Sequence, residues 1–175
     1  RAKRMRLYRD FTDQASSEIV RQTRAAIAWC HTHVQSIGGD PTRITLSGHS
    51  AGGHLVGMAL ATDWAGAYGL PAAPVRAALA LSGLFDLRPF PYTYLQPALQ
   101  LTTREVLALS PIDLEPQVRG LFTVAVGGAE TAEFRRQSRE LATSWGRHLQ
   151  HCAYAEIAGA NHFTALDALF SEPSP

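Results

Sequence analysis

Ser50 lies at the centre of the pentapeptide GHSAG, residues 48–52, which has the G-x-S-x-G spacing of a nucleophilic serine. An apolar run at residues 44–46 precedes it and a helix-like stretch follows it, so Ser50 is predicted at a sharp turn from a strand into a helix. Glycine is expected at positions 48 and 52 because a side chain at either would collide with the strand or the helix. The turn would hold the Ser50 hydroxyl clear of the surface, with a helix N-terminus beneath it.

Ser50 needs a general base, because a serine alcohol is too weakly acidic to attack a carbonyl carbon unaided. Among the seven histidines, His162 follows the last predicted strand, which places it at the C-terminal edge of the sheet and after the serine in the sequence. His49 is expected to point away from the nucleophile, and the others are expected on helices or at the opposite end of the sheet. We therefore predict that His162 is the base.

The base in turn needs a carboxylate that orients its ring, and the expected chain order is serine, acid, histidine. Glu130 follows the apolar run 121–126 and a Gly-Gly turn, so it also reaches the C-terminal edge of the sheet. Asp86 follows a strand as well and is the rival acid. Glu133 is a third candidate, although it is better explained as an acid in the first turn of a helix. We predict Glu130.

A developing oxyanion needs hydrogen-bond donors. The backbone N–H of Ala51 is predicted as one donor, because this residue follows the nucleophile. The second donor should come from a glycine-rich loop earlier in the chain, but no His-Gly-Gly sequence precedes residue 40. The source of the second donor is therefore left open.

The elements that must position these residues alternate between helix and strand. Apolar residues recur every three or four positions over residues 16–37, whereas residues 75–83 form a continuous apolar run, typical of a strand buried on both faces. Such alternation predicts an α/β fold, with a parallel sheet and helices on both of its faces. The predicted strands are 43–47, 75–83, 121–126 and 152–158, and the predicted helices are 16–37, 51–62, 133–149 and 163–170.

Residues 84–98 are rich in aromatic residues and proline and are predicted to form a loop. Phe85, Phe90, Tyr92 and Tyr94 could line an aromatic substrate pocket there, and simple packing over the sheet is an equal alternative. Phe85, Tyr92 and Tyr94 are the candidates for substrate binding.

Composition excludes several classes of function. A net charge of +1 gives no reason to expect nucleic-acid binding, and no apolar stretch is long enough to span a membrane. The basic N-terminus is not followed by the apolar core of a secretory signal. The two cysteines, Cys30 and Cys152, are expected to be free thiols in a reducing compartment, which indicates a cytoplasmic protein. No cysteine or histidine cluster predicts a metal site.

Several segments carry a resemblance to a known family: GHSAGGHL (48–55), LSGLFDLRP (81–89), LSPI (109–112), ETAEFRRQS (130–138) and NHF (161–163). From about residue 18 to its end the chain resembles α/β-hydrolases of the esterase/lipase type, and more narrowly arylformamidases (kynurenine formamidases). The resemblance implies Ser50 as nucleophile, Glu130 as acid, where members often have aspartate, and His162 as base. It also implies hydrolysis of N-formyl aryl amides such as N-formylkynurenine, with no cofactor or metal.

The chain departs from this family at its N-terminal end. Members of the family have several strands and a His-Gly-Gly loop before the helix that corresponds to residues 16–37. We therefore interpret residues 1–175 as a single α/β-hydrolase domain, the C-terminal portion of the fold. The strand 43–47 would then be a sheet edge, which favours association with other chains, including a homo-oligomer. The alternative functions are a general carboxylesterase acting on small esters and a catalytically impaired fragment that lacks the oxyanion loop.

Overall fold

The computed structural model describes residues 16–169, which form a parallel sheet with helices on both faces. The four strands follow each other across the sheet in chain order, β1-β2-β3-β4. Their bounds are Thr45–His49 (β1), Ala77–Leu81 (β2), Leu121–Gly127 (β3) and His151–Ile157 (β4). The predicted α/β fold class is confirmed, and β1 lies at one edge of the sheet among the strands that the structure describes.

The two faces of the sheet are covered by different elements, as the alternation of side chains along β2 and β3 requires. Ala80 and Val124 point into the main core, where they pack with residues of three helices: Ser16–His33 (α1), Ala51–Leu60 (α2) and Ala132–Trp145 (α6). Leu81 and Ala125 point to the opposite face and pack with Ala165, from the 3₁₀ helix Thr164–Leu169. The second face is thus covered by the helix predicted over 163–170, which is a 3₁₀ helix over Thr164–Leu169.

The connection between β2 and β3 contains more regular structure than the sequence pattern indicated. Two of its helices, Gln96–Leu99 (α4) and Thr103–Ala108 (α5), follow a 3₁₀ turn at Phe90–Tyr92, and the helix Trp64–Tyr68 (α3) precedes β2. These helices are too short to show a clear periodicity, which is why they were not predicted. The capping box between Thr102 and Glu105 was the local signal that marked the start of α5.

Among the described residues, no helix has both the length and the apolar character that a membrane span requires. Within the described part of the chain, neither Cys30 nor Cys152 is joined in a disulfide bond.

Candidate active site

The turn from β1 into α2 holds Ser50 in a strained backbone conformation. Its φ of 57° and ψ of −119° lie outside the regions that non-glycine residues usually adopt. The backbone N–H of Ser50 donates to Leu81 O of β2 at 2.9 Å, and Ser50 O accepts from the backbone N–H of His54 at 3.1 Å. These bonds to a neighbouring strand and to the helix stabilise the strained turn.

The predicted steric role of the two glycines applies to only one of them. A Cβ on Gly48 would lie 2.2 Å from the carbonyl oxygen of Gly52, so no side chain fits at position 48. Apart from its chain neighbours and the backbone of its own helix, a Cβ on Gly52 would meet no atom of the described residues within 4 Å. The close contact between α2 and the sheet instead requires Gly53, whose Cβ would lie 2.8 Å from Gly83 Cα.

The structure brings Ser50, His162 and Glu130 together at the C-terminal edge of the sheet. His162 Nε2 lies 3.0 Å from Ser50 Oγ, and His162 Nδ1 lies 2.8 Å from Glu130 Oε2. A carboxylate accepts hydrogen bonds, so this contact favours the tautomer with the proton on Nδ1 and leaves the Nε2 lone pair facing the serine hydroxyl. The arrangement can deprotonate Ser50 and stabilise the imidazolium that forms.

Glu130 is buried, and both of its oxygens have partners. Its side chain is 1% exposed, against 25% for His162. Glu130 Oε1 accepts from the backbone N–H of Gly127 at 2.8 Å and from the hydroxyl of Ser82, while Oε2 accepts from His162. Burying a carboxylate costs free energy unless such donors satisfy its oxygens.

The rival acids make other contacts. The Asp86 carboxylate accepts from Arg88 Nε at 2.7 Å and from Arg136 Nη2 at 2.9 Å. Burial raises the pKa of Asp86, but the hydrogen bonds from the two arginines outweigh it and hold the pKa below its ordinary value. Glu133 is bonded to Arg136 and Gln137, and the hydrogen bond from Arg136 is the main cause of its lowered pKa. Glu130 is therefore the candidate acid that contacts His162.

His49, which was expected to point away from the nucleophile, contacts the candidate base. Its Nε2 lies 2.7 Å from His162 O, and the two rings are 4.5 Å apart at their centroids. Burial lowers the pKa of His49, which favours the neutral ring that donates to this carbonyl. The contact joins residues far apart in sequence, so no local signal indicated it. Ser82 was missed for the same reason.

An open, mostly apolar cavity lies beside the first turns of α2. It leaves about 30 Å³ for the centres of water-sized spheres, or about 390 Å³ when the open solvent at its mouth is counted, and it lies between α1, α2 and the segment 84–101. Ala51, the residue after Ser50, lines it, together with Leu55, Leu84 and Phe90. A substrate attached at Ser50 could therefore extend an apolar group into this cavity.

The three aromatic residues predicted to bind substrate do not line this cavity. Phe85 is fully buried in the main core, because its ring fills the space beside Gly57 and Gly83. Tyr92 and Tyr94 are 90% and 89% exposed. Of the aromatic residues considered in this segment, Phe90 is the one that faces the cavity.

Ala51 is the first residue of α2, as the predicted oxyanion donor should be. The first N–H groups of a helix have no acceptor within the helix, so this N–H is available to a developing negative charge beside Ser50. The second donor was sought before residue 40, and residues 1–15 of that region lie outside the described part of the chain.

The sequence of this chain was found to be similar to a protein family and to several known proteins. Residues 22–75 match the model of the carboxylesterase family. The chain is 32% identical to a kynurenine formamidase of Salmo salar, over 86% of this chain and 50% of the relative. It is 28% identical to a kynurenine formamidase of Danio rerio, over 87% of this chain and 51% of the relative. The chain thus spans about half the length of the curated relatives it matches.

Solved structures give the same fold. A candidate thioesterase from Silicibacter sp. superposes with a TM-score of 0.76 at 28% identity, over 93% of this chain and 57% of that one. Carboxyl esterase 2 of Tuber melanosporum superposes with a TM-score of 0.70 at 17% identity, over 91% and 58% of the two chains. Because the identity to carboxyl esterase 2 is only 17%, this similarity shows the fold alone.

Proposed function

This chain is an α/β-hydrolase of the esterase/lipase type, similar to arylformamidases, and from that premise we propose that it belongs to a serine hydrolase that cleaves N-formyl aryl amides such as N-formylkynurenine. The observation that carries the proposal is the line of hydrogen bonds from Ser50 Oγ through the His162 ring to Glu130 Oε2. Ser50, His162 and Glu130 are accordingly proposed as nucleophile, base and acid.

The reaction proceeds in two steps on these groups. Ser50 Oγ attacks the formyl carbon while His162 Nε2 takes its proton, and the Ala51 N–H stabilises the oxyanion of the tetrahedral intermediate. His162 then gives the proton to the departing aryl amine, which leaves a formyl ester on Ser50. Water attacks this ester while His162 takes its proton, and His162 then returns the proton to Ser50 Oγ as the ester bond breaks and formate is released. Glu130 holds the ring and stabilises its charged form throughout.

The cavity beside Ala51 supports an apolar or aromatic substrate. Leucines, Ile19 and Phe90 form most of its lining, so an apolar part of the substrate that enters it is stabilised by leaving water. A formyl group itself needs no such space. The aryl group of an N-formyl aryl amide is thus the part that this cavity suits. The kynurenine formamidases among the sequence relatives support the same substrate class.

A general carboxylesterase acting on small esters is the second candidate. It is favoured by the match of residues 22–75 to the carboxylesterase family. The same three residues would serve it, because acyl transfer from an ester differs only in the leaving group. Under either function we propose a small-molecule substrate and a cytoplasmic location, the latter supported by the lack of a disulfide bond at Cys30 and Cys152 among the described residues.

Two measurements test the proposal. A fluorophosphonate probe should label the wild-type chain and should not label Ser50→Ala. Hydrolysis of N-formylkynurenine should then be compared with that of a p-nitrophenyl ester. A higher kcat/KM for the formamide supports the arylformamidase, and a higher value for the ester supports the carboxylesterase. Absence of labelling in the wild-type chain would contradict a functional serine nucleophile.

A further inference from the structure

Ser82, the residue directly after β2, contacts the Glu130 carboxylate on the side away from His162. Ser82 is fully buried, and its hydroxyl donates to Glu130 Oε1. Its backbone N–H donates to Ala125 O of β3 at 2.7 Å. Both bonds join β2 to the strand and loop that carry Glu130, so Ser82 is held in place by the sheet itself.

Ser82 adopts a conformation that serine ordinarily avoids. Its φ is 50°, in the left-handed region that favours glycine. Among the described residues, three that are not glycine have a positive φ, and two of them, Ser50 and Ser82, belong to this site. A residue held in such a conformation costs conformational free energy, and residues of this kind concentrate at functional sites. A glycine would relieve the strain at position 82, but it would lose the hydroxyl.

We propose that Ser82 is a positioning residue whose hydroxyl, together with the N–H of Gly127, holds the Glu130 carboxylate so that Oε2 faces His162 Nδ1. The inference rests on the proposed function, since it assigns Ser82 to the same three residues. Glutamate has one more rotatable bond than aspartate, so a carboxylate on this longer side chain needs a second anchor to keep one oxygen on the histidine. Ser82 supplies that anchor from a different strand.

The test uses two substitutions that separate the hydroxyl from the backbone strain. Ser82→Gly removes the hydroxyl and suits a positive φ, whereas Ser82→Ala removes the hydroxyl and keeps the strain. Ser138→Ala is the control: Ser138 is also fully buried, and its hydroxyl has no hydrogen-bond partner among the described residues. Circular dichroism establishes that each variant is folded.

The first readout is the tautomer of His162, from the ¹⁵N chemical shifts of the ring in histidine-labelled protein. The wild-type chain and Ser138→Ala should show the tautomer with the proton on Nδ1. Ser82→Gly and Ser82→Ala should show a mixture of tautomers, because the carboxylate no longer keeps Oε2 on Nδ1. A His162 tautomer unchanged in both Ser82 variants would overturn the inference. This readout does not need activity, so it remains decisive if the wild-type chain is not labelled by the fluorophosphonate and the proposed function fails.

The second readout is kinetic. Loss of one hydrogen bond to a charged group should lower kcat in both Ser82 variants by about 10- to 100-fold, with KM nearly unchanged. In the background of Glu130→Gln, Ser82→Ala should lower kcat no further, because Ser82 acts through the carboxylate. A kcat equal to that of the wild-type chain, or a full additional loss in the Glu130→Gln background, would contradict a positioning role.

Discussion

At the scale of single residues, the choice of the acid is the sharpest point to test. Glu130→Gln keeps the size of the side chain and removes its charge. The amide can donate to His162 Nδ1 and so favour the wrong tautomer, and we expect kcat to fall by about 10⁴-fold. Steady-state kinetics on the preferred substrate provides the measurement.

Asp86→Asn is the matched control for that substitution. Asp86 contacts Arg88 and Arg136 and not His162, so its replacement should lower thermal stability and leave kcat nearly unchanged. A loss of kcat in Asp86→Asn as large as that in Glu130→Gln would transfer the role of the acid to Asp86.

At the scale of elements, α2 contains a titratable group within its buried face. His54 is buried, and its Nε2 lies 2.8 Å from Leu109 O, which ties α2 to the end of α5. Burial lowers the pKa of His54, and the hydrogen bond to Leu109 offsets part of that shift. The folded chain therefore binds a proton at His54 less readily than the unfolded chain, in which the imidazole has its ordinary pKa near 6.5.

The sign of the resulting pH dependence follows from this difference. The stability associated with the neutral ring is fully present above about pH 6.5 and is lost as the pH falls toward the lowered pKa of the folded state, at up to about 1.4 kcal/mol per pH unit. Urea unfolding between pH 7 and pH 5 should show a smaller loss for His54→Gln than for the wild-type chain. His148→Gln, at an exposed position, should behave like the wild-type chain. Equal losses in all three proteins would contradict the assignment to His54.

At the scale of the whole molecule, β1 is the described strand to which another chain could add. Among the described strands, β1 pairs only with β2, and Thr45 and Ser47 of β1 are exposed. An uncovered edge strand can pair with another chain, so we expect self-association that increases with concentration. The substitutions Thr45→Lys and Ser47→Lys should reduce this self-association, as measured by sedimentation velocity. Lysine at the exposed helix positions Thr32 and Thr143 adds the same charge and should have a smaller effect. A monomer at every concentration would contradict the prediction.

Much of the site could be read from local patterns. The spacing of GHSAG between an apolar run and a helix indicated a strained serine, because the glycine at position 48 leaves room that no other residue would. The apolar runs predicted the strands whose ends carry Glu130 and His162, and the parallel arrangement of such strands places those ends at one edge of the sheet. These features depend on neighbours in the sequence, which is why the sequence alone determined them.

The tertiary structure decided the contacts between distant segments. Both Glu130 and Asp86 follow strands that end at the same edge, and the packing of α6 decides between them, since Arg136 of that helix contacts Asp86. The bonds from Ser82 to Glu130 and from His49 to His162 join residues 48 and 113 positions apart. Sequence periodicity reports which residues are buried or exposed, but not which buried polar group meets which. That pairing is set by the register of the strands and the positions of the helices packed against them, and only the folded chain contains it.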